Sequence, residues 1–130
     1  MDLRPALILA LILPLAMPGP AHAHHSRAMF EMDRNITHRG VVREYRWQNP
    51  HSHIVIAVGT QTWDIEASAV DLMTSRGWTR TTFKPGDRIT AVTHPNRDGS
   101  NNVLLFYVIL PDGKRLYRAQ HRYDLEVEDR

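Results

Sequence analysis

The chain has 130 residues, with 16 Lys and Arg against 14 Asp and Glu, and it contains no cysteine. That length suits one domain, and the lack of Cys excludes disulfides, thiolate metal centres, a lipid-modified amino-terminal Cys and a Cys nucleophile. The net charge of +2 is spread along the chain, which argues against nucleic acid as a partner.

The first segment reads apart from the rest. Arg4 precedes a nearly unbroken apolar run from Ala6 to Met17, and Pro18-Gly19-Pro20 breaks that run before Ala21-His22-Ala23. A basic end, a short apolar stretch, a breaker and an A-x-A step spell a secretory signal peptide over residues 1–23, cut after Ala23. The apolar run is well short of the ~20 residues that span a bilayer. Export without disulfides suits a bacterial periplasm, with no stable membrane anchor after cleavage. Cleavage would make His24-His25-Ser26 the new terminus, where a free amine beside an imidazole can chelate Cu(II) or Ni(II). Cleavage two residues earlier would put His24 third, a still better square-planar chelator. The plain alternative is a loose hydrophilic end.

Residues 24–35 read as an extended lead-in that lays Met29, Phe30 and Met32 on the body. The first strand runs from Ile36 to Trp47, and its parity slips between Val42 and Tyr45, so a bulge near Arg43-Glu44 is expected. Trp47-Gln48-Asn49-Pro50-His51-Ser52-His53 then leads into a second strand. Ile54, Ile56 and Val58 share one face there, and His51, His53, Val55 and Ala57 share the other. A two-residue turn at Thr60-Gln61 would pair Val58 with Trp63 and Val55 with Glu66, leaving Glu66 diagonally near His53. Trp63, Ile65 and Ala67 face inward on the third strand. Ser52 between two histidines invites a nucleophile reading, but on a strand it points away from both.

Ser68-x-x-Asp71 resembles a capping box opening a helix of about two turns, with Gly77 at its left-handed end and Trp78 as the closing apolar contact. Lys84-Pro85-Gly86-Asp87 turns into a fourth strand, Arg88 to His94. A loop from His94 to Asn101 precedes the fifth strand, Asn102 to Leu110. Leu116-Tyr117 adds a short edge, and residues 120–130 form a charged tail. Three strands, a short helix and two strands give a mainly β fold. The expected architecture is a five-stranded OB-like barrel over residues 36–119, with the helix between strands three and four.

Ligands of such barrels sit near the loops joining strands one to two and four to five. His51, His53 and His94 would then meet at one rim, with His24 and His25 as further donors. The ion would be copper or zinc, since no thiolate is present to select a softer one. Tyr45, Trp47, Asn49 and Glu66 complete the expected ligand rim. Enzymatic signatures are absent: there is no HExxH, no G-x-S-x-G and no glycine-rich phosphate loop. The first functional reading is a periplasmic binding module, with a metal ion or small ligand at the barrel mouth. The alternative is a metal-independent interaction protein that presents Tyr45 and Trp47 to a peptide, glycan or protein.

Several blocks carry a resemblance over nearly all of the mature chain. They are His24-His25-Ser26, Phe30-x-Met32-Asp33, Gly40-x-Val42, Trp47-x-Asn49-Pro50-His51, Gly77-Trp78, Lys84-Pro85-Gly86-Asp87 and Leu110-Pro111-Asp112-Gly113. Together they resemble a family of small exported bacterial proteins known only as a domain of unknown function. The resemblance implies a periplasmic single domain and brings no activity, ligand or catalytic residue with it. This chain departs from the pattern in its polar Ser52-His53, so Pro50-His51 is the anchor of the motif and His53 is optional.

Overall fold

The computed structural model describes residues 27–118. Six strands and one helix follow in order: β1 (Ile36–Arg46), β2 (His53–Val58), β3 (Gln61–Glu66), α1 (Val70–Thr74), β4 (Arg88–His94), β5 (Asn102–Ile109) and β6 (Arg115–Tyr117). β1 is long because it serves two partners. Its second half pairs with β2, from Val41 opposite Ala57 to Arg46 opposite His53. Its first half pairs with β4, from Ile36 opposite Thr93 to Val41 opposite Arg88. The ladder to β2 slips between Val42 and Glu44, which places the expected bulge at Arg43 and bends the strand.

The strand order is β3-β2-β1-β4-β5-β6, and a parallel pairing of β3 with β5 closes the barrel. That pairing runs from Asp64 opposite Asn102 to Glu66 opposite Leu104. β6 lies outside the barrel, taking up the edge of β5 from Tyr107 to Ile109. A closed five-stranded barrel with one short helix between β3 and β4 is the OB-like architecture that the element order implied.

Two local expectations are corrected. The β2–β3 turn is Gly59-Thr60, because Val58 pairs with Gln61. Gly59 takes a φ of 59°, the left-handed value that a hairpin turn of this kind requires at its first position. The shift is by two residues, so the faces are preserved while the partners change. Ile54 now meets Ile65, and His53 lies directly opposite Glu66. The capping box does not form either. Ala69 occupies the cap of α1 without a side-chain bond, and the Ser68 hydroxyl accepts from Arg118 Nη1 at 3.3 Å. Asn49 supplies the cap from another loop, its Oδ1 accepting the Val70 N–H at 2.9 Å. α1 spans only five residues and closes as expected. The Trp78 N–H bonds to the Met73 carbonyl and the Gly77 N–H to that of Thr74, with Gly77 at φ 87°.

Val42, Ile54, Ile56, Ile65, Leu105 and Val108 are fully buried inside the barrel. Met73, Trp78 and Phe83 cover one end and join the same apolar cluster. The Trp78 indole N–H donates to the Tyr117 carbonyl at 2.9 Å, which ties that end to β6.

Candidate functional site

Two imidazole–carboxylate pairs stand side by side on the outer face of β2 and β3. The register that sets His53 opposite Glu66 and Val55 opposite Asp64 gathers these four polar groups into one surface strip. His51 Nδ1 lies 2.8 Å from Glu66 Oε1, and His53 Nδ1 lies 2.7 Å from Asp64 Oδ1. Asp64 also accepts from Arg46 Nη2 at 2.6 Å. Burial alone would raise the Asp64 carboxyl, but hydrogen bonds and charge attraction from His53 and Arg46 outweigh it and hold the group below its ordinary range. In each pair the carboxylate accepts the Nδ1 proton, an arrangement that leaves the lone pair on Nε2 whenever the ring is neutral. Metal-binding histidines are oriented in this way, with the carboxylate fixing tautomer and ring angle.

The strip lies between two adjoining recesses. One, of about 230 Å³, is lined by Met29, Phe30, His53, Asp64, Glu66 and Asp98 among others. The second, of about 250 Å³, includes Arg27, Phe30, His51, Glu66, Leu72 and Arg118. Glu66 and Phe30 belong to both. Phe30 is 4% exposed and forms an isolated bridge with Asn96, so the segment before β1 makes a wall of the cleft. That segment is not extended throughout, since Arg27–Met29 forms a single 3-10 turn. Asp98 adds a further carboxyl, held below its ordinary range by hydrogen bonding to Ser100. Asp64, Glu66 and Asp98 thus gather three carboxyls beside His53 in one recess, and Arg27 and Arg118 line the other with His51.

His94 does not join the strip. It ends β4 opposite Leu104, and Leu104 lies opposite Glu66 in turn. His53, Glu66, Leu104 and His94 therefore form a row across four strands, with His94 up to ~14 Å from His53 along the sheet at ~4.8 Å per strand. The His94 ring is 3% exposed, lies 5.3 Å from the Phe106 ring in a stacked pose, and has Nδ1 3.1 Å from the Arg34 carbonyl. His24 and His25 lie outside the described residues. Asn49 caps α1. Tyr45 and Trp47 are half-buried and pack against the core cluster, with Tyr45 also edge-on to Phe83 at 5.7 Å. The Tyr45 hydroxyl donates to the Thr79 carbonyl, and burial pushes its pKa up. Ser52 is fully buried and its hydroxyl donates to the Gln48 carbonyl at 3.4 Å. Among the described residues, no group of three or more His, Cys, Asp or Glu side chains is placed to surround a metal ion.

Residues 13–105 match the sequence profile of a family of unknown function, DUF6152. The chain belongs to that family. The matched region covers β1 to β4 and the first half of β5, and it contains His51, His53, Asp64, Glu66 and Asp98. No curated protein matches the chain. Among the described residues, no helix is long and apolar enough to cross a membrane.

Two polar groups escape a linear reading. Asp64 looks like an ordinary outward strand residue until the hairpin register sets it beside His53. His38 is buried at 4% exposure. Its Nε2 lies 2.9 Å from Thr93 Oγ1, and its ring is 4.3 Å from that of Trp63. The signal was available, since His38-x-Gly40-x-Val42 has the period of an inward face. Desolvation lowers the His38 pKa.

Proposed function

We propose that this DUF6152 member is an exported periplasmic binding module that takes Cu(II) or Zn(II) on the outer face of β2 and β3. The observation that carries the reading is the double imidazole–carboxylate arrangement, His51–Glu66 and His53–Asp64, which orients two Nε2 donors on one strip. Two imidazoles are too few for a stable site of either ion. In this reading the remaining donors come from the amino terminus. His25 precedes Arg27 by two residues, and Arg27 lines the recess that holds His51 and Glu66. His24 is three residues before Arg27 in the sequence, a stretch that spans at most ~3.6 Å per residue. Export rests on the composition of residues 1–23. A metal-independent partner on Tyr45 and Trp47 has less support, because both rings are engaged in packing.

Calorimetric titration of protein beginning at His24 with CuCl2 and ZnCl2 tests the reading. One equivalent should bind, and Glu66→Gln should weaken binding about 10–100-fold, as losses of such orienting partners do. His51→Ala/His53→Ala should weaken it further, and so should starting the chain at Arg27. Unchanged affinity in the double histidine variant would overturn the site. Intact mass of protein recovered from the periplasm fixes the true terminus.

A further inference from the structure

A third recess lies across β1, β4 and the end of β5, towards the opposite end of the strands. It is a groove of about 580 Å³, lined by Arg39, Val41, Ala57, Arg88, Ile109 and Leu110 among others. Ala57 lies four residues beyond His53 on β2, about 13 Å along the strand at ~3.3 Å per residue. The groove is thus separate from the imidazole strip. Its chemistry is also opposite, an apolar floor beneath two guanidinium groups.

Register explains how the two arginines come together. Arg39 lies opposite Thr90 and Arg88 opposite Val41, so Arg39 and Arg88 are diagonal neighbours on the outer face. Diagonal Cβ atoms are roughly 7–8 Å apart, a gap that long side chains close easily. Arg34, Arg46 and Lys84 each face a carboxylate. Among the described residues, neither Arg39 nor Arg88 forms an ion pair. Two like charges held over apolar side chains repel, and a single anion between them reverses the sign of that interaction.

We propose that this groove binds a small anionic amphiphile, a free carboxylate bearing a medium-length alkyl chain. The head group sits between Arg39 and Arg88, within reach of the Thr90 hydroxyl, and the chain lies over Val41, Ala57, Ile109 and Leu110. The volume falls inside the ~300–1,000 Å³ of small-molecule sites. A peptide strand is disfavoured on β4, which is already paired on both sides, with β1 and with β5. A bare inorganic anion would leave the apolar floor unused.

Amide chemical shifts of the mature protein, followed during titration with sodium decanoate in the presence of EDTA, test the proposal. Decanoate should move the signals of Val41, Ala57, Arg88 and Ile109. Arg39→Gln/Arg88→Gln should weaken decanoate at least tenfold while the thermal melt stays in place. Acetate and 1-decanol, each carrying half of the proposed chemistry, should bind at least tenfold more weakly than decanoate. The proposal fails if acetate matches decanoate, if 1-decanol matches it, or if the double variant keeps full affinity. It also fails if the shifts map to the imidazole strip, or if sedimentation shows the groove covered by a second copy of the chain.

Discussion

Gly40 offers the sharpest test of the barrel geometry. It sits on β1 between the half that pairs with β2 and the half that pairs with β4. A Cβ built there would lie 2.6 Å from the Ala57 carbonyl oxygen, 3.0 Å from Val58 Cγ2 and 3.2 Å from Ile56 Cδ1. Unstrained carbon–oxygen contacts are about 3.3–3.6 Å, so strand β2 would have to retreat by roughly 0.7 Å or more. The obstacle is backbone in a closed barrel and cannot rotate away. Gly→Ala by itself stabilises by ~0.4–1 kcal/mol through the unfolded chain. Overpacking costs ~1–3 kcal/mol. The clash should win, leaving Gly40→Ala less stable by about 1–2 kcal/mol. For a domain of this size, each kcal/mol moves Tm by about 4–8 °C, so circular-dichroism melts should show a drop of roughly 5–15 °C. A Tm equal to or above that of the wild type would refute the close approach of β1 and β2 at this point.

His38 should make stability depend on pH. Its folded pKa is lowered from the ordinary 6.5 by desolvation, so the unfolded chain takes up the proton first as pH falls. The native state is thus favoured above pH 6.5 and loses stability as pH drops through that value towards the folded pKa. His38→Gln keeps a partner for Thr93 and removes the titration, so the two melt curves should converge at lower pH; parallel curves would rule this out. Asn49→Ala should cost about 1 kcal/mol, the usual loss for a helix cap, and chemical denaturation should detect it. An unchanged midpoint would mean that the Val70 N–H is satisfied equally well by water.

The strand periods, the helix stop at Gly77-Trp78 and the slip at Arg43 were all legible in the linear chain. Each arises from local sterics: alternation of side chains across a pleat, a left-handed glycine, and one residue too many between Val42 and Tyr45. The element order was enough to imply an OB-like barrel. His51, His53 and Glu66 could be singled out by residue type and shared parity. Their partners could not. A one-residue move of the β2–β3 turn shifts the register by two and preserves every face, so the hydrophobic pattern is blind to it, yet it decides that His53 stands opposite Glu66 and within reach of Asp64. The barrel also separates His94 from the pair, because β3 and β5 close between them and Phe106 and the Arg34 carbonyl claim the ring. Likewise, only the pairing of β1 with β4 sets Arg39 beside Arg88, from positions 49 residues apart. Local chemistry therefore determined which elements form and which side chains are candidates. Contacts between distant strands decided which of those candidates meet.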